Sequence, residues 1–211
     1  QGRIVVSEMA KAMGQMQGPK IIVATAGHIN SGAFDDFNGL ADLAAKHNAW
    51  LHIDGAFGLW ARANTNTAAK ATGADRADSW STDGHKWLQI PYDSGFAIVK
   101  DVDAHKRAMD ISAGYLNQSE NDGRNPTEFS PGLSRRARGF AAWAVFQALG
   151  KRGIRELVAR HCNSARVLAN LIAQIPGLDV TGTTDLNQVV VTASADIADK
   201  CAAIERLACT L

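Results

Sequence analysis

Along the first hundred residues, short apolar blocks alternate with stretches of helical period, and the order reads as repeated strand–helix units. After a short extended piece at 3–6, Ser7 is placed to cap a helix over 7–17. Met9, Ala12, Met13 and Met16 fall on one of its faces, and Gly18-Pro19 ends it. Residues 20–26 are rich in Ile and Val without alternation, the pattern of a strand buried on both faces in a parallel sheet. A polar loop, Gly27-His28-Ile29-Asn30-Ser31-Gly32, follows, with His28 read as a solvated loop residue. Asp35 then reads as the N-cap of a helix over 35–48, with Phe37, Leu40, Leu43, Ala44 and His47 on one stripe. Residues 50–53 form a second strand ending at Asp54. A third covers 77–82, and a fourth covers 96–99 after the turn at 91–95. The polar segment 62–76 carries one short helix near 67–72.

Downstream, helical periods dominate. Residues 102–109 read as helix. The polar stretch 114–132, with two prolines, is too long for a plain connector and reads as an active-site loop. Arg135, Arg136 and Arg138 open an apolar helix over 139–149. They are either a basic patch at a domain junction or a contact for a carboxylate or a partner subunit. Gly150 to Gly153 breaks the helix. An amphipathic helix over 154–175 follows, with Ile154, Leu157, Val158, His161, Ala165, Leu168 and Ile172 inward. Two strands, 178–181 and 188–192, and a helix over 196–211 complete the chain. The architecture is α/β: a mostly parallel sheet in residues 1–133, then a smaller α+β unit in 134–211.

Composition narrows the classes. With 46% hydrophobic and 20% charged residues over 211 positions, the chain is of ordinary soluble globular type. A net charge of +1 argues against nucleic-acid binding or a polybasic membrane anchor. No apolar run reaches membrane-span length, and no signal-peptide pattern opens the chain. Cys162, Cys201 and Cys209 form no Cys-x-x-Cys pair and read as small buried thiols, in keeping with a cytoplasmic setting. His52 reads as a packed residue, since no second metal ligand stands at a suitable spacing.

The chemistry gathers at Thr82-Asp83-Gly84-His85-Lys86-Trp87. A lysine at the end of an apolar strand is either a solvated loop residue or a nucleophile whose partly desolvated amine attacks a carbonyl. Asp54 ends the preceding strand of the same parallel set, where open α/β sheets bind ligands. Taken alone it is a turn or cap residue, or a carboxylate facing the same ligand. An amine and a carboxylate converging there suit pyridoxal phosphate: the lysine forms the imine, and the acid keeps the pyridine nitrogen protonated.

The runs HIDGAFGLWA and ADSWSTDGHKWLQIPYDSGFAIV, with TAGHINSGAFDD upstream and LSRRARG downstream, resemble the pyridoxal-phosphate-dependent group II amino-acid decarboxylases of the aromatic-amino-acid and glutamate decarboxylase type. The resemblance covers nearly the whole chain, but only the middle of such an enzyme. It implies a partial large domain of the aspartate aminotransferase-like type (fold type I), its fourth strand antiparallel, followed by part of the small domain. It also implies removal of an α-carboxylate from an amino acid, and a homodimer. Lys86 would carry the cofactor and Asp54 would meet the ring nitrogen. Ala56 would let the ring lie flat. His85 would sit near the phosphate, Asn30 would stand beside the ring, and Asp83 occupies a position where relatives carry Asn or an acid. An acid there cannot donate to phosphate. The family's flanking strands, main phosphate loop and stacking histidine fall outside the matching segments, so both sheet edges are expected to be unpaired. Relatives carry a proton-donating tyrosine in the loop matching 114–132. Here the tyrosines are Tyr92 and Tyr115, and Phe129 is the aromatic beyond them. That departure leaves open either another proton donor or a different, aldehyde-forming or aminotransferase-like outcome. A catalytically silent, partner-binding piece is the reading from a different class.

Overall fold

The computed structural model describes residues 2–109, 125–132 and 134–199. Tyr115, Cys201, Cys209, most of the expected active-site loop and most of the last expected helix lie outside the described residues.

Four strands, β1 (Ile21–Thr25), β2 (Trp50–Asp54), β3 (Ser79–Asp83) and β4 (Gly95–Val99), lie side by side in chain order. The first three are parallel and β4 is antiparallel to β3. Thr25 pairs with Asp54, and Asp54 with Ser81, so the three parallel strands end together. β1 and β4 are the sheet edges among the described residues.

Helices α1 (Val6–Gln15) and α2 (Phe37–His47) precede and follow β1. α1 starts before the expected Ser7 cap: Val5 holds the N-cap position with no side-chain bond. The inward face is Val6, Met9, Ala10 and Met13, while Ala12 and Met16 turn to solvent. α2 is capped by Asp36, which accepts from Gly39 N at 3.0 Å, and not by Asp35. Asp35 is only 6% exposed and accepts from Ile4 N at 2.6 Å and Thr25 N at 2.7 Å. It pins the N-terminal segment to the tip of β1. A buried carboxylate is tolerated here because backbone donors replace its lost water.

Ile22, Ala24, Leu51 and Ile53 bury one sheet face against α2, where Phe37, Leu40 and Leu43 supply the apolar stripe. The expectation that β1 is buried on both faces does not hold. Ile21 is 70% and Val23 52% exposed, because α1 and α2 cover the opposite face. Between β2 and β3 the chain makes a series of short turns, among them α3 (Thr65–Ala68), in place of one helix. α4 (Val102–Met109) follows β4.

α5 (Arg138–Ile172) is broken at Gly150, whose φ of 59° interrupts the helical path where a break was expected. In its second half Leu157, Val158, Cys162, Ala165 and Ala169 face inward. Leu168, expected inward, is half exposed, because the stripe continues from Ala165 to Ala169. His161 is half-buried. Burial, with Arg160 beside it, moves its pKa below the ordinary imidazole value. β5 (Leu178–Val180) and β6 (Val191–Ala193) form an antiparallel pair, and 195–199 are helical. Among the described residues no helix is long and apolar enough to cross a membrane.

Two outcomes follow from this packing. Asp35→Ala leaves two partly buried backbone donors without their acceptor and is expected to cost about 2 kcal/mol, read as a lowered urea midpoint at unchanged slope. Burial raises the Cys162 thiol above its ordinary pKa, which holds it protonated and unreactive. Iodoacetamide at pH 8 is expected to modify Cys162 only once denaturant has opened the core, as peptide mass mapping will show.

Candidate active site

The site lies at the carboxyl ends of the parallel strands. Hydrogen bonds run past the strand tips: Ala26 N donates to Asp54 O (2.8 Å), Gly55 N to Ser81 O (2.9 Å) and Asp83 N to Ala56 O (2.9 Å). The loops leaving β1 and β2 touch through two glycines. Gly27 has φ +81°, and a Cβ on it would lie 2.7 Å from Gly58 Cα. A Cβ on Gly58 would collide with the carbonyl of Ala26. Only glycine allows this approach.

Above these tips is a cavity of about 490 Å³, lined by Asp54 at the end of β2, Ala56 and Phe57 beyond it, Lys86 beyond β3, His28 beyond β1, and Gln188 from the C-terminal unit. Asp54, Ala56 and Lys86 are therefore brought together. Asp54 is exposed to the cavity, and its Oδ1 accepts from Ala56 N at 3.0 Å, which turns the chain away and leaves the carboxylate free to face a ligand. The Lys86 side chain is 45% exposed, and its Nζ lies 2.8 Å from Asp83 Oδ2. The amine is thus ion-paired and partly open to solvent, between the solvated loop residue and the partly desolvated nucleophile that the sequence left open.

Asp83 and His85 stand behind the lysine and do not line the cavity. His85 Nε2 is 3.5 Å from Asp83 Oδ2, and its Nδ1 is 2.7 Å from Ser94 O. Asn30 is exposed and lines a neighbouring cavity of about 530 Å³ with Arg3, Ser31 and Asp185. His28, expected to be solvated, is half-buried and lines both cavities.

Trp87, 2% exposed, stacks on Phe57 with ring centroids 4.9 Å apart and so anchors the lysine turn to the loop beyond β2. His52 contacts Ser79 Oγ (2.8 Å) and Ser81 Oγ (3.3 Å) on the open sheet face. Arg138 clasps Asp93 through two bonds of 2.9 and 3.0 Å, and Arg136 donates to Tyr92 O. The guanidinium of Arg138 holds the exposed Asp93 carboxyl below its usual pKa. These arginines tie the start of α5 to the turn that carries Ser94.

Gln188 has no local sequence signal. Its Nε2 donates to the carbonyls of His28 and Ile29, each at 3.3 Å, across about 160 positions of chain. Lys70 and Asp185, 2.6 Å apart, make a second tie between the C-terminal unit and the large sheet's loops.

A family model described as the pyridoxal-dependent decarboxylase conserved domain matches residues 1–192. An aromatic-L-amino-acid decarboxylase of Bacillus atrophaeus is 34% identical over 143 residues, which is 66% of this chain and 30% of that protein. An L-2,4-diaminobutyrate decarboxylase of Rhizobium meliloti is 29% identical over 190 residues, 87% of this chain and 37% of that one. The chain spans about a third of the length of these relatives. The crystal structure of Oryza sativa TDC with PLP and tryptamine superposes with a TM-score of 0.84 at 24% identity, covering 92% of this chain and 41% of that one. The fold is accordingly that of the fold type I enzymes.

Gln188→Ala removes both bonds to the loop beyond β1. Amide exchange at Gly32, whose N–H donates to His28 O, is expected to speed up by about tenfold, as hydrogen–deuterium exchange will show.

Proposed function

Because the chain belongs to the pyridoxal-dependent decarboxylase family, we propose that it serves a pyridoxal-5′-phosphate-dependent carboxy-lyase that removes the α-carboxylate of an amino acid. The observation that carries this reading is the meeting of Asp54 and Lys86 on the wall of one cavity at the strand tips. The residues present suit the ring end of the cofactor: an amine, a carboxylate, and a small Ala56 between them. Bound there, pyridoxal phosphate would supply the electron sink that receives the bonding pair of a departing carboxylate.

The chain's own groups then divide the work. Lys86 would hold the cofactor aldehyde through Nζ. Asp54 would keep a proton on the ring nitrogen through its free carboxylate oxygen. Ala56 leaves a flat floor, and the Phe57–Trp87 stack fixes the turn from which the amine extends. Gln188 holds the loop beyond β1 over the cavity and helps to keep water from the reacting atoms. His85 and Asn30 remain candidates for the cofactor's periphery, and Asp83 acts through Lys86.

The reading takes residues 1–133 as part of the large domain and 134–211 as the linking helix and part of the small one, with β5 and β6 in the latter. It carries with it a cytoplasmic homodimer with an amino-acid substrate. The two relatives named above act on different side chains, so the choice of amino acid belongs to parts of the pocket beyond Asp54 and Lys86. The sequence of the 114–132 loop favours one second reading. It offers Tyr115 at its start and no tyrosine beyond, so the same carbanion chemistry could end in an aldehyde or an amino-group transfer.

Full-length protein incubated with a panel of carboxyl-labelled amino acids is expected to release labelled carbon dioxide from at least one. Release from none overturns the reading. Aldehyde or keto-acid products in place of amines support the second. Lys86→Ala is expected to abolish a cofactor absorbance that otherwise survives dialysis. If no such absorbance exists, the chain is a catalytically silent piece. Asp54→Asn is expected to keep the bound cofactor but to slow turnover about a hundredfold or more.

A further inference from the structure

His28 stands on the loop beyond β1 and lines the cavity that holds Lys86 and Asp54. The loop fixes it closely. Its N–H donates to Ala33 O (2.8 Å), its carbonyl accepts from Gly32 N (2.7 Å), and Gln188 Nε2 reaches the same carbonyl. The ring is held at one edge. Nδ1 accepts from the backbone N–H groups of Asn30 and Ser31, each at 3.4 Å. Ser31 Oγ lies 3.3 Å from Nδ1 and accepts from Ala33 N, so its own hydroxyl proton is free to point at the ring. Gly2 lies against the same edge: a Cβ there would lie 3.0 Å from His28 Cγ and Nδ1. With donors gathered on Nδ1, the proton of the uncharged ring belongs on Nε2. Among the described residues Nε2 has no partner, so this N–H is left for a ligand.

We propose that His28 is a substrate-binding residue whose Nε2–H takes the α-carboxylate of the amino acid. The assignment rests on the proposed roles of Lys86 and Asp54, and it adds the group that receives the part of the substrate to be lost. Lys86 is committed to the cofactor in that reading, and Asp54 repels a second carboxylate. The other side-chain donors on the cavity wall are Gln188 and Thr25. Gln188 Nε2 is spent on two carbonyls, and Thr25 pairs with Asp54 in the strand register, beside the acid. His28 is the donor that remains. It also suits the reaction. The carboxylate loses its charge as carbon dioxide forms, so a strong ion pair would favour the bound substrate over the transition state. One uncharged N–H orients the group and holds its charge more loosely.

One part of the test needs no cofactor. In full-length protein freed of cofactor and labelled at histidine, the ring nitrogen shifts at high pH are expected to show the Nε2–H tautomer at His28, assigned by its loss in His28→Gln. The other part reads binding, not turnover. In the cofactor-loaded protein, the amino acid that shifts the cofactor absorbance at the lowest concentration is compared with the amine that lacks its carboxylate. His28→Phe and His28→Leu, which both remove the donor, are expected to weaken binding of the amino acid about tenfold and of the amine less than about twofold, with the bound cofactor retained. His28→Gln, whose amide N–H stands near the place of Nε2, is expected to recover most of that loss. The Nδ1–H tautomer, an equal loss for amino acid and amine, no loss, or release of the cofactor from folded His28→Phe and His28→Leu would overturn the proposal. A parent protein that takes up no cofactor overturns the underlying reading and the proposal with it, which tells the two failures apart. Thermal melts of each variant separate these outcomes from loss of folding.

Discussion

The common ending of three parallel strands is the constraint on which the site depends. Because Thr25, Asp54 and Ser81 stand in one row, the chain leaves the sheet three times at the same height. The backbone bonds that continue past the last ladder rung hold the departing loops together. Two side chains 32 positions apart (86 − 54) then face one space without either being buried for the purpose. Slide β3 by one residue, and each side chain on it changes face. The glycine contact between residues 27 and 58 enforces the same closeness one layer out, where a single methyl group has no room.

Much of this was legible in the sequence, and the reason is periodicity. Apolar blocks too short for helices, separated by helical-period stretches, gave four strands within a residue or two of their observed limits. α4 begins at the residue expected. Asp54 and Lys86 stood out because each is a polar residue at the end of an apolar block. What the sequence concealed depends on long-range contacts. Asp35 and Asp36 are both acceptable caps, and only the position of Ile4 and Thr25 decides which one turns inward. The inward stripe of α5 differs from expectation at Leu168 because burial there follows the surface that the helix lies on, not the largest side chain available. Gln188 carries no motif. Its importance comes from two carbonyls far upstream, and no local pattern encodes that.

The C-terminal unit is therefore more than an appendage. Gln188 reaches the loop beyond β1, Asp185 reaches Lys70, and Asn64 Nδ2 donates to Arg155 O at 3.1 Å. Val158 and Cys162 sit in the same apolar core as Ile22 and Phe37. The arginines at the start of α5 grip the turn that positions His85. Gln188 reaches a loop that lines the cavity and the arginines reach the turn behind Lys86, while Asp185–Lys70 and Asn64–Arg155 fasten the C-terminal unit to the segment between β2 and β3.

The buried indole of Trp87 has an optical consequence. It is adjacent in sequence to the amine proposed to carry a chromophore, it is shut away from water, and it is held nearly parallel to a phenyl ring. Its emission should lie toward short wavelength. Any yellow cofactor seated on the neighbouring side chain would absorb that light by energy transfer. The molecule thus contains its own lamp for watching the pocket fill.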